Sequence, residues 1–163
     1  MSYLRTALTL ALALLLAACS GNARFDTEGA DLTLTPQQAV SEATLQQDKQ
    51  VLWGGMIINS TNLKEQTRIE VLAYPLDSDH YPQTDKTPYG RFLLFHDGYL
   101  ETVDYAPGRR LSVLGRFSGT SQGRVDESEY TYPVVQAEQL HLWPRSERSD
   151  SRIHFGIGVM FGR

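Results

Sequence analysis

The sequence predicts a mainly β domain: a small five-stranded barrel preceded by one short helix. Three observations predict it. From Val51 onward, apolar or alternating runs recur between turn signals. The first run carries adjacent glycines, Gly54 and Gly55, which suit a bulge or a sharp bend at a barrel corner. Only one stretch, after Thr35-Pro36, has helical spacing. Five strands with a bend in the first fit an OB-like barrel, and a β-sandwich built from the same strands is the alternative.

The helix comes first. Thr35 offers a capping hydroxyl and Pro36 suits the first helical position. Ala39, Val40, Ala43 and Leu45 make a weak apolar stripe that runs to about Asp48. A helix this short is unstable alone, so it must dock on the strands C-terminal to it. Strand one, Val51–Asn59, is apolar on both faces and suits a buried position. Arg68–Leu76 alternates, with Ile69, Val71 and Ala73 on one side. Asp77–Pro88 is polar, contains two prolines and reads as a long loop. Arg91–His96 is strand three. Asp97–Gly108 connects it to strand four, in which Leu111, Val113, Gly115 and Phe117 face inward. The connection has room for at most about two helical turns, so the helix usual at this point of an OB barrel is not evident. Gly119–Ser128, rich in glycine and serine, reads as a hairpin loop, and Tyr130–Trp143 as a long fifth strand. Pro144–Arg152 is charged. Beyond it, Phe155-Gly-Ile-Gly-Val-Met-Phe161 alternates with the period of a strand and suits an edge, a self-association surface or a lipid contact.

The N-terminus has a different pattern. Arg5 precedes the apolar run Ala7–Leu16, which ends in Ala17-Ala18. That is a secretory signal, too short to span a hydrocarbon core of about 30 Å. Leu16-Ala17-Ala18-Cys19 resembles a bacterial lipobox, and Cys19 is the only cysteine. The resemblance implies cleavage before Cys19, lipidation of its thiol and acylation of its new amine. Each buried CH₂ contributes roughly 0.8 kcal/mol, so several acyl chains on one residue hold a protein to a bilayer without measurable release. Ser20 stands where lipoproteins retained at the inner membrane commonly carry Asp, which implies sorting to the outer membrane. The division expected is a signal peptide over 1–18, the lipidated cysteine and a flexible tether over 19–35, a β domain over 36–144, and a charged connector with a C-terminal strand over 145–163.

Composition narrows the function. Nineteen acidic and fifteen basic residues give a net charge of −4, against a general nucleic-acid binder. One cysteine excludes a disulfide framework and a cysteine-based zinc site. No Gly-x-Ser-x-Gly elbow is present, and the carboxylates Asp126, Glu127 and Glu129 fall in a turn region, so no catalytic residue is assigned. Asp77-x-Asp79-His80 lacks the further ligands a metal would need, and His80, His96, His141 and His154 show no ligand spacing. No metal site and no cofactor beyond the lipid on Cys19 are expected. Asp85-Lys86-x-Pro88-x-Gly90-Arg91 reads either as a shaped turn or as a polar site gripping a phosphate or carboxylate. In the second reading Lys86, Arg91, Tyr89 and Arg109 bind a small anionic or glycan ligand. Tyr74, Tyr99, Tyr105 and Trp53 supply further aromatic surface, although Trp53 suits the core better.

A set of motifs then carries a resemblance. Trp53-Gly54-Gly55, Ile57-Ile58-Asn59 and Thr61-Asn62-Leu63 are followed by Tyr74-Pro75-Leu76-Asp77 and Asp85-Lys86-Thr87-Pro88-Tyr89-Gly90-Arg91-Phe92. Gly98-Tyr99-Leu100, Tyr105-Ala106-Pro107-Gly108-Arg109, Val113-Leu114-Gly115 and Tyr132-Pro133-Val134-Val135 come after them. Together these resemble the Slp family of outer-membrane lipoproteins over roughly residues 36–144. The resemblance implies a lipoprotein anchored in the inner leaflet of the outer membrane, facing the periplasm and linked to starvation or stress. It implies no reaction. The expected role is a structural, adaptor or stress-protective one. The expected partners are the lipoprotein processing and sorting machinery and an envelope protein, not nucleic acid.

Overall fold

The computed structural model describes residues 24–145. Cys19 and the alternating segment 155–161 lie outside the described residues. Two short helices, α1 (Pro36–Ser41) and α2 (Ala43–Gln46), precede five strands. These are β1 (Gln50–Asn62), β2 (Gln66–Ala73), β3 (Arg91–Asp97), β4 (Arg110–Val125) and β5 (Ser128–Leu142). They close in the order β1-β2-β3-β5-β4, with β4 returning to β1. All pairings are antiparallel except the short parallel one between β3 and β5. A closed ring in this order is an OB-like barrel and not a sandwich.

The bend in β1 explains the closure. Gln50–Met56 pairs with β4, whereas Gly55–Asn62 pairs with β2. The strand changes partner across Gly54-Gly55. A Cβ on Gly55 would stand 1.9 Å from the Leu72 carbonyl oxygen, so only glycine lets β2 approach here. The barrel interior holds Val51, Trp53, Ile57, Ile69, Val71, Phe92, Leu94, Leu111, Val113, Phe117 and Val135. Trp53 packs edge-on against Phe92 at 5.4 Å. Its indole nitrogen donates to the Leu34 carbonyl at 2.6 Å, so the ring sits in the core with its polar atom satisfied.

β1 runs three residues past the expected Asn59, and β2 lies at Gln66–Ala73 where Arg68–Leu76 was expected. The chain departs more widely from the sequence expectation in three places. First, the described part of the expected tether packs on the barrel. Phe25 is 2% exposed and joins Leu52 and Leu114 in a second apolar cluster outside the ring, with Ala30 and Leu76 against it. The Asp31 amide donates to the Gln50 carbonyl at 2.8 Å. Leu114, on the face of β4 opposite the inward Leu111, Val113 and Phe117, is buried because it lies under this strap. Second, the single helix breaks at Glu42, whose φ of −122° is not helical. The turn past the break rotates the stripe. Ala39 is buried as expected, but Leu45 is exposed and Gln46 takes the inner position. Third, the expected loop over 119–128 is strand. β4 and β5 pair without interruption from Gly119↔Val134 to Val125↔Ser128, leaving a turn of only Asp126 and Glu127. Cross-strand hydrogen bonds override the low strand preference of its glycines and serines.

Candidate functional site

The long β2–β3 connection and the N-terminal strap together form a cleft. The connection leaves β2 at Tyr74 and folds on Asp77, whose carboxylate accepts from the amides of Asp79 and Tyr81, both at 2.9 Å. The Asp77-x-Asp79-His80 segment is therefore a side-chain-closed turn. His80 takes a left-handed φ of 64°, its carbonyl accepts from the Ser112 hydroxyl at 2.6 Å, and its ring meets Phe25 edge-on. The strap is fixed by the Asp31 carboxylate, which accepts from the Thr33 amide and hydroxyl and from the Leu34 amide. Those bonds, led by the Thr33 hydroxyl, hold the Asp31 carboxyl below its ordinary pKa.

Between strap and connection lies a cleft of about 470 Å³. Leu34, Leu52 and Trp53 form its floor, and Tyr74, Leu76 and Tyr89 line the connection side. Leu32 and Tyr89 stand exposed at its rim, 54% and 37%. The size and apolar lining suit a small apolar group or the side chains of a protein partner. The sequence concealed the contribution of Leu32 and Leu34 to this cleft, because the strap has no period of its own. The one local signal was the Leu-Thr-Leu alternation at 32–34.

A second set of side chains fixes the end of β5. Trp143 packs between Tyr81 at 4.9 Å and His141 at 4.6 Å, with the Arg24 guanidinium 4.3 Å from its ring centre. Arg24 also donates to His141 Nε2 at 2.6 Å. Burial first, and then the Arg24 charge, hold the imidazole below its ordinary pKa, which keeps that nitrogen an acceptor. Arg110 donates to the Tyr81 hydroxyl, and to Thr84 at 2.8 Å.

The residues expected to bind a small ligand do not meet. Lys86 is exposed, 3.9 Å from Asp85, on a shallow groove beside Arg110. Arg91 bonds Glu70 at 2.7 Å, and that bond raises its pKa. Its backbone amide donates to the Tyr130 hydroxyl at 2.8 Å. Arg109 donates to the carbonyls of Asp104 and Trp143, both at 2.8 Å, and so ties the β3–β4 connection to the end of β5. Only Tyr89 and Arg91 share a groove, with Tyr130 and Pro133. Of the other tyrosines, Tyr99 is largely exposed and Tyr105 packs against the core. Among the described residues, no group of three or more His, Cys, Asp or Glu is arranged to hold a metal ion.

The chain matches the family described as Outer membrane lipoprotein Slp over residues 16–161, a stretch that begins before Cys19. It is 29% identical to Outer membrane protein Slp of Escherichia coli over 150 residues, covering 88% of this chain and 77% of that one. A Haemophilus influenzae protein is 38% identical over 103 residues, 63% of this chain and 56% of its own. The lipoprotein YeaY of Escherichia coli is 28% identical over 113 residues, 67% of this chain and 58% of its own. The chain thus spans little more than half the length of two of these relatives. Among solved structures, the small single-stranded DNA-binding protein of Streptomyces coelicolor covers 58% of this chain and 94% of its own, at 16% identity and a TM-score of 0.37. The fold rests on the strand order and not on that likeness. With the family matched over residues 16–161, most of its length, this chain belongs to the Slp family of outer-membrane lipoproteins.

Proposed function

We propose that the protein is a non-catalytic adaptor of the cell envelope. Lipid on Cys19 holds it to the inner leaflet of the outer membrane, and the cleft beneath the strap engages an envelope protein in the periplasm. The observation that carries this reading is the cleft itself. It has a rigid barrel floor, an apolar lining, and exposed Leu32 and Tyr89 at its rim. A few apolar side chains of a partner filling such a depression would supply most of an interface's energy.

The strap sharpens the geometry of anchoring. It is seated from Arg24 onward, so only residues 20–23 separate the lipidated position from the barrel. At about 3.5 Å per step, the five steps from position 19 to position 24 reach no more than roughly 18 Å. The domain would then be held close to the leaflet instead of tumbling on a long tether. A role in starvation or stress fits the family context, and neither reaction nor cofactor is part of the reading.

The test is photocrosslinking in cells from a photoreactive residue at position 89 of the full chain, followed by mass spectrometry of the adduct. The expected result is one envelope protein recurring across preparations. Crosslinks to lipid alone, or none from correctly anchored protein, would overturn the adaptor reading.

A further inference from the structure

Past the ring, the end of the β4–β5 hairpin (Ser121–Arg124 and Tyr132) faces Asn59, Thr61, Arg68, Glu70 and Leu93 of β1–β3 across a cleft. The backbone register puts Thr61 opposite Arg68 and Arg68 opposite Phe95, with Asn59, Glu70 and Leu93 in the next row. The cleft has a volume of about 230 Å³. Its back is fixed. The Tyr132 hydroxyl lies 3.1 Å from Glu70 Oε1 and 3.2 Å from the Arg124 carbonyl, and Glu70 is already bound by Arg91. The Glu70 charge is therefore spent within the wall.

Two guanidiniums remain. Arg68 makes no hydrogen bond or ion pair with another described residue. Arg124 donates to the Glu127 carbonyl of its own turn at 2.9 Å and keeps its other donors. The carboxylates of the Asp126-Glu127 turn do not line the cleft. In a chain of net charge −4, this is a local excess of positive charge. Around it stand the side-chain amides of Asn59, which donates to Thr61 Oγ1 at 3.5 Å, and of Gln122, whose Oε1 accepts from the Thr131 hydroxyl at 3.1 Å; each keeps further donor and acceptor capacity, and Leu93 adds apolar surface.

We propose that this cleft binds a carboxylate-bearing saccharide unit, with Arg68 and Arg124 holding the carboxylate and the amides holding ring hydroxyls. Paired guanidinium donors match a planar carboxylate. Groups that both donate and accept match hydroxyls, for which a bare anion has no use. The volume lies below the roughly 300–1,000 Å³ of sites for drug-sized ligands, which suits a single ring. The site is separate from the strap cleft and independent of the adaptor reading.

The test uses the full-length lipoprotein in detergent micelles, titrated calorimetrically with D-glucuronate, D-glucose and inorganic phosphate. Glucuronate is expected to bind saturably, and glucose and phosphate at least about tenfold more weakly, as loss of one charge-assisted interaction allows. Arg68→Gln should weaken glucuronate about tenfold or more with the thermal transition unchanged, and Lys86→Gln, in another groove, should not. If Arg68→Gln does not fold, Arg124→Gln makes the same test. Glucuronate binding no better than glucose, phosphate binding as tightly as glucuronate, or full binding by a folded Arg68→Gln protein would each overturn the proposal.

Discussion

At the scale of single residues, two cations that look available in the sequence, Arg91 and Arg109, are spent on holding the domain together. Arg109 was legible as a cation near a loop, but its two carbonyl partners come from Asp104 and from Trp143, 34 positions away. Arg91 is likewise consumed by Glu70. Local sequence shows a charge and not its distant partner, which is why the expected ligand set did not assemble. His141 gives a testable consequence. Its folded-state pKa lies below the ordinary 6.5, through burial and then Arg24. The unfolded chain therefore binds more protons near and below pH 6.5, so this group's contribution is complete above that pH and is lost as pH falls through it. The thermal midpoint should fall between pH 7.5 and pH 5, and His141→Gln should shrink that fall. An equal fall in the variant would show that Arg24 and Trp143 impose no cost on protonation.

At the scale of elements, the hairpin is where composition and structure disagree. Glycine and serine read as loop, yet β4 and β5 stay paired to Val125↔Ser128. Gly123 has a steric role there. A Cβ at this position would stand 2.8 Å from the Tyr132 ring, which covers the glycine and reaches on to Glu70. Gly123→Val should therefore displace Tyr132 and cost about 1–3 kcal/mol, as overpacking does. Equilibrium denaturation would read this as a lower midpoint at constant slope. An unchanged midpoint would mean that Tyr132 swings aside without loss. The short helices show the same limit from the other direction. Thr35 and Gln38 form the reciprocal cap, with Thr35 accepting from the Gln38 amide and the Gln38 side chain accepting from the Thr35 amide. Six residues are still too few to carry their own register, so packing decides which face turns inward.

At the scale of the whole molecule, the anchor and the barrel answer to different parts of the chain. The ring closes within Gln50–Leu142, and the strap lengthens its contact back to Arg24. Membrane attachment should then depend on Cys19 without affecting the fold. Cys19→Ser is expected to move the protein from the membrane fraction and to abolish lipid labelling, with the unfolding transition of the domain retained. A variant that stays in the outer membrane and still takes up lipid label would remove Cys19 as the attachment point.

The sequence by itself determined the number and order of the five strands and the centre of each, the glycine bend in β1, the inward faces of β2 and β4, the helix cap and the family. All of these are written in periods of two residues, in turn chemistry or in ordered local motifs. Only the tertiary structure decided that the strap is seated, that the hairpin is strand to its tip, and that Lys86, Arg91 and Arg109 go to separate partners. The physical reason is sequence distance. Phe25 has no apolar surface to bury until Leu52 and Leu114 are side by side, and Arg68 and Arg124 line one cleft only once the ring has closed and the β4–β5 hairpin is paired to its tip.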